Sequence, residues 1–164
     1  MGLPGATDFA AWGENSKGQL AGQSRISYDY LTATVWTNGV PIDIGNSTNE
    51  SNETIAFDIN NFDQVVGSGA SGGSGALLWG NGNVYNLNSL VNNLGDWHLQ
   101  SAFGINDQGR IIGYMNSTDG EDYYVESIFL LTPYVNVSAV PAPAAIWLFA
   151  SGLGVLGFAK RRKR

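Results

Sequence analysis

The chain reads as an all-β body of repeated antiparallel four-stranded units followed by one C-terminal transmembrane helix. Three observations predict this. A unit of about 45 residues recurs nearly three times in residues 1–133, its first copy incomplete. Each unit carries two turn signals between short apolar stretches, which is the pattern of two hairpins. After residue 139, an uncharged run from Ala144 to Ala159 ends in Lys160, Arg161, Arg162, Lys163 and Arg164.

The first hairpin of the unit is A-W-G-E-N-S-K-G-Q-L-A-G (Ala11–Gly22), which aligns without gaps to A-F-D-I-N-N-F-D-Q-V-V-G (Ala56–Gly67) and A-F-G-I-N-D-Q-G-R-I-I-G (Ala102–Gly113). In the third copy the apolar stretch ends at Ile105-Asn106, residues 107–109 turn the chain, and Gly109 suits the left-handed position of a type I turn with a bulge. Gly18 stands there in the first copy and Asp63 in the second; Asp tolerates that conformation less well than Gly. The second hairpin turns at Asn38-Gly39 and Asn81-Gly82, with Trp36 aligned to Trp79 as core positions and Leu131 in the third copy. Four strands in this length make the size of a propeller blade, and an ordinary antiparallel sandwich fits as well. Ser68–Gly75 and Asn46–Thr54 read as exposed loops, and residues 134–139 as a spacer.

Charge divides the chain. Residues 1–139 hold all 14 acids and only Lys17, Arg25 and Arg110 as bases, a net −11, whereas the tail is +5. An acidic body repels phosphate backbones and is a poor nucleic-acid partner. Without cysteine there is no disulfide framework or thiolate metal site. The N-terminus, M-G-L-P-G-A-T-D-F-A, has neither a basic start nor an apolar core. An exported chain needs a signal upstream, so the sequence is expected to be a fragment.

As a helix, residues 144–159 span about 24 Å, short for a hydrocarbon core of about 30 Å, but Lys and Arg stems can snorkel to the headgroups. Trp147 near the other end suits the interface, and Pro141 and Pro143 fit before the helix or in its first turn. The positive-inside rule keeps the basic end cytoplasmic and puts the body on the far side of the membrane.

A short Pro motif (Val140, Pro141, Ala142, Pro143, Ala144), an apolar helix and an Arg-rich end, in that order, resemble the PEP-CTERM class of sorting signals, closest to the variant called VPLPA-CTERM. Ala142 stands where that variant has Leu, and the Glu of the P-E-P form is absent. The resemblance implies export from a Gram-negative bacterium and an exosortase, a membrane protease-transpeptidase, as partner. In the body, A-L-L-W-G-N-G, V-Y-N-L-N-S-L, W-H-L-Q-S-A-F-G-I-N-D-Q-G-R-I-I-G and I-F-L-L-T-P within Ala76–Pro133 resemble the extracellular HAF repeats. That likeness implies an exported β-repeat protein and no chemistry. The first copy departs, with Glu14 where Ile59 and Ile105 sit.

Candidates for chemistry are few. His98 is the single histidine, lies between Trp97 and Leu99, and reads as a strand residue rather than a triad member. Asp58 and Asp63, or the cluster Asp119, Glu121 and Asp122, are the carboxylates a glycosidase reading would use, and nothing in the pattern desolvates a pair. Calcium is the better candidate ligand: Asp58, Asn60 and Asp63, or Asn106 and Asp107, or the loop with Asp119, Glu121 and Asp122, supply hard oxygens, though their spacing completes no EF-hand loop and Asx turns also explain them. Tyr28, Tyr30, Tyr114, Tyr123 and Tyr124 lie near strand ends, where aromatic platforms for sugar rings form. The expectation is an exported, non-enzymatic cell-surface or exopolysaccharide-matrix protein. It would be held in the inner membrane until its tail is cut. A permanently anchored glycan- or calcium-binding adhesin is the alternative, and an exported glycoside hydrolase is a third reading.

Overall fold

Turn chemistry sets the strand boundaries. In a computed structural model that describes residues 1–28, 30–45, 53–69, 75–118 and 124–134, each unit is one antiparallel sheet. The first sheet runs in the order β1 (Asp8–Glu14), β2 (Leu20–Ser27), β3 (Tyr30–Thr37), β4 (Val40–Asp43). The second runs β5 (Thr54–Ile59), β6 (Val65–Gly69), β7 (Ala76–Gly80), β8 (Asn83–Asn86). The third has the order β11 (Tyr124–Leu131), β10 (Ile111–Thr118), β9 (Trp97–Ile105), so it holds three strands among the described residues where four were expected. Among the described residues the body is all-β apart from one short helix, and no barrel closes.

The turns match their sequence signals. Asn38-Gly39 and Asn81-Gly82 both take positive φ at each residue, as a two-residue I′ hairpin requires. In the first hairpins, Gly18, Asp63 and Gly109 hold the left-handed position at φ +72°, +61° and +70°. Asp63 thus adopts it without being glycine.

A bulge follows in each unit. The register slips between Ala11 and Gly13, between Ala56 and Asp58, and opposite Gly113, leaving Trp12, Phe57 and Phe103 as the extra residues. The partner position is always glycine. A Cβ on Gly22, Gly67 or Gly113 would overlap the carbonyl oxygen of Ala10, Ile55 or Ser101. This explains the recurring final glycine of the motif: the bulge brings the opposing carbonyl too close for any side chain.

The sheets stack on one another in chain order. β5 packs across β1, β2 and β3, and β9 across β5, β6 and β7. Between the first two sheets lie Ala21, Ala33, Val35, Ala56, Ile59, Val65, Leu77 and Trp79. Between the second and third lie Val66, Ala76, Leu87, Leu99, Ala102, Ile105, Ile111 and Phe129. Equivalent positions recur: Ala56, Ile59, Val65 and Leu77 in one layer become Ala102, Ile105, Ile111 and Phe129 in the next. Leu77 and Leu99 are fully enclosed, and burying such a side chain contributes about 2 kcal/mol.

Three details depart from expectation. Ser68 and Gly69 extend β6 rather than opening a loop; residues 70–74 lie outside the described chain. Thr54, read as the end of an exposed loop, is buried, with its Oγ1 accepting from Ala33 N at 3.0 Å and donating to Gly45 O at 3.1 Å. Leu87–Leu90 forms a single helical turn, α1, capped by the Asn86 side chain accepting from Asn88 N. The Asn88 side-chain amide then bonds to the β9 backbone, its Nδ2 donating to Leu99 O at 2.9 Å and its Oδ1 accepting from Leu99 N at 2.8 Å.

The close carbonyl at the bulge makes a direct prediction. Gly67→Ala should destabilise the full chain by about 3 kcal/mol in chemical denaturation, because the clash is with backbone. Gly80→Ala, where a side chain meets nothing nearer than 3.9 Å, should cost less than about 1 kcal/mol. Equal losses at the two sites would refute the bulge argument.

Candidate functional site

Two features stand out: a column of polar turns on one side of the stack and a groove between the first two sheets. The column arises because the asparagine that starts each first hairpin turn recurs in phase. Its side-chain oxygen closes its own turn. Asn15 Oδ1 accepts from Lys17 N and Gln19 N, Asn60 Oδ1 from Phe62 N and Gln64 N, and Asn106 Oδ1 from Gln108 N and Arg110 N, all at 3.0–3.1 Å. Its amide nitrogen then reaches the next unit. Asn15 Nδ2 donates to Asn60 O at 3.0 Å, and Asn60 Nδ2 to Asn106 O at 3.1 Å. Asn15 and Asn60 are buried, at 7% and 3% exposure.

The following residue adds a second rung. Ser16 N and Oγ donate to Asn61 Oδ1 at 2.9 and 2.6 Å. Asn61 N and Nδ2 donate to the two oxygens of Asp107 at 2.9 and 2.7 Å. These Asn61 bonds hold the Asp107 carboxyl below its ordinary range, with Lys17 helping slightly. The bulged aromatics run alongside, Trp12 on Phe57 at 5.7 Å and Phe57 edge-on to Phe103 at 5.2 Å between centroids.

The calcium candidates Asp58, Asn60, Asp63, Asn106 and Asp107 fall within this column. Asp58 accepts from Ile59 N at 2.9 Å and from Ile105 N in the next unit at 2.8 Å. Asn60 is the middle rung. Asp63 pairs with Lys17 at 3.0 Å across units, both side chains largely exposed. Among the described residues no three His, Cys, Asp or Glu side chains gather as a metal set. Asp119, Glu121 and Asp122 lie outside the described residues, as do Val140–Ala144, the apolar run 144–159 and Lys160–Arg164. Among the described residues no helix is long and apolar enough to cross a membrane. His98 is half-buried on β9 and lies 3.2 Å from Gln100 Nε2. Tyr114 donates to Glu126 Oε1 at 2.9 Å, which raises the phenol pKa.

The groove, of about 940 Å³, is lined by β4, the β7–β8 hairpin and the floor residues Val35, Ile59, Val65 and Trp79. Its rim carries Gln19, Tyr30, Asp43, Asp63, Asn81 and Asn83. Asp43 is fixed in place: its Oδ1 accepts from Thr32 Oγ1 at 2.6 Å and Gly45 N at 2.9 Å, and its Oδ2 from the Tyr30 hydroxyl at 3.4 Å. Trp36 Nε1 donates to Met1 O at 2.6 Å, whereas the equivalent Trp79 Nε1 is buried without a protein partner among the described residues. Sequence reasoning identified the two tryptophans as core but missed the groove, which residues of four separated segments create.

Residues 139–164 match the PEP-CTERM protein-sorting motif. No curated protein and no solved structure matches the chain. The motif implies processing by an exosortase, a membrane enzyme, and export through the membrane to the cell surface.

The rungs predict unequal roles for equivalent asparagines. Asn60→Ala should cost about 3 kcal/mol, since it strips two turn N–H groups and an inter-unit bond in a buried place. Asn106→Ala, exposed and without an onward bond among the described residues, should cost about 1 kcal/mol. Denaturation of both variants checks this; a larger loss at Asn106 would contradict it.

Proposed function

We propose that this is a non-enzymatic envelope or matrix protein whose acidic β body is delivered to the surface by its C-terminal signal. The observation that carries this is the sorting motif at residues 139–164, joined to a body bearing −11 of charge. In this reading the tail is the VPLPA variant. The run 144–159 crosses the inner membrane with its basic cluster on the cytoplasmic side. That stop presents Val140–Ala144 to the exosortase at the outer face. The body is built from HAF-like repeats stacked as in a propeller, and cleavage near the Pro motif releases it into the envelope or exopolysaccharide layer.

The groove supports a second reading, a glycan-binding body. An aliphatic and indole floor with a fixed carboxylate and amides on the rim is the chemistry that takes a polyhydroxylated ring.

Expression in hosts with and without an exosortase, followed by mass spectrometry of the C-terminus, tests the first reading. Loss of the K-R-R-K-R end only where the enzyme is present is expected. An intact end in both hosts overturns it in favour of permanent anchoring. For the second, titration of acidic and neutral polysaccharides should give binding that weakens about tenfold on Asp43→Ala, the loss of one or two hydrogen bonds to a charged group. Unchanged binding would remove the groove from consideration.

A further inference from the structure

Among the described residues the column of turns is open at both ends, and the two ends are complementary. At the third sheet, Asn106 Nδ2 and Asp107 N have no acceptor among the described residues, although their counterparts Asn60 Nδ2 and Asn61 N each bond to the next unit. At the first sheet, Asn15 O accepts among the described residues only from Gly18 N, whereas Asn60 O and Asn106 O each accept a second bond from the preceding unit. The aromatic stack is open in the same way, with Trp12 at 52% and Phe103 at 51% exposure.

The outer face of the third sheet repeats the pattern on a larger scale. Ala21 and Val66 on β2 and β6 are fully buried by the sheet that follows; their counterpart Ile112 is 55% exposed. Ala33 and Ala76 are likewise enclosed, and their counterpart Ile128 is 84% exposed, with Leu130 beside it at 62%. Such a set of large apolar side chains in register marks an interface face. Charge follows suit. Arg110 replaces Gln19 and Gln64 at the open third turn, and Glu14 replaces Ile59 and Ile105 at the open first turn.

We propose that a second copy of this chain docks on the outer face of the third sheet, head to tail, and continues the column. Asn106 Nδ2 of one copy meets the Asn15 carbonyl of the next. Asp107 N meets its Ser16 hydroxyl, Phe103 its Trp12, and Arg110 faces its Glu14. Over β2 and β3 the receiving face is already closed: Met1 O holds Trp36, Leu3 N donates to Ser24 Oγ, and Ser24, Thr34 and Trp36 are buried. The part beside the turn stays open, with Ala11 and Glu14 exposed. Met1, 92% exposed, adds an apolar contact for the incoming sheet. Because the two patches differ, the contact does not close on itself, and repetition builds a filament. The inference rests on the body alone and holds whichever reading of the tail is right.

The chain has no cysteine, so single introduced thiols report the contact. Lys17→Cys and Gln108→Cys variants of the 164-residue chain, which carry the probe at equivalent turn positions, are mixed in detergent micelles and treated with a short bismaleimide. The 17–108 dimer is expected in about tenfold excess over pairings that use Tyr28→Cys, an exposed control, because docking raises the local thiol concentration. Adding Ile128→Glu, at a site too exposed to matter for folding, should abolish the excess. A dominant 108–108 product would mean face-to-face packing and overturn the proposal. Linking no greater than the Tyr28 control would also overturn it, showing that the face stays free or is covered by another segment.

Discussion

One carboxamide, used at both ends, organises the body. The oxygen of Asn60 closes its own turn, and its nitrogen fastens that turn to the next unit. A turn that would otherwise be a local device thereby becomes a rung between sheets. Buried polar groups must be satisfied, and here satisfaction requires the neighbour to be present. The apolar layers provide most of the burial, but they are built largely from Ala, Val, Ile and Leu and specify shape loosely. The rungs supply the register that such layers lack.

The bulge belongs to the same device. It turns Trp12, Phe57 and Phe103 out of the ladder of their own sheets so that they stack along the column. It also demands glycine opposite, which is why the motif ends as it does. Stability in such an array comes from nearest-neighbour contacts, so an end unit is held on one side only. Each end here differs chemically from the middle, and those differences bear on what an exported body of this kind meets outside the cell.

Much of this was legible in the sequence where the physics is local. Asn-Gly pairs and the Gly at the left-handed position identify hairpins because few other residues adopt those angles. The tryptophans fell in phase with a strand and are buried. What could not be read is whatever depends on a partner about 45 residues away. Asp58 looks the same in a string of letters whether its oxygens hold an ion or, as here, the Ile105 N–H. Asn60 reads as a turn former, and its onward bond leaves no separate trace. The α1 turn was hidden for a different reason: V-Y-N-L alternates like a strand, and only the Asn86 cap diverts it. The tail was the reverse case, since its order of Pro motif, apolar run and cations identifies the sorting signal in the letters themselves.

Backbone hydrogen exchange at the three turns measures the role of the rungs most directly. The amides of Lys17 and Gln19, of Phe62 and Gln64, and of Gln108 and Arg110 donate in the same local geometry to the Oδ1 atoms of Asn15, Asn60 and Asn106. They differ in whether that asparagine is fastened to a following unit. The first two pairs should exchange only with global unfolding, and the third should exchange by local opening at least about tenfold faster. Equal protection at all three turns would show that the inter-unit amide bonds do not hold the stack together.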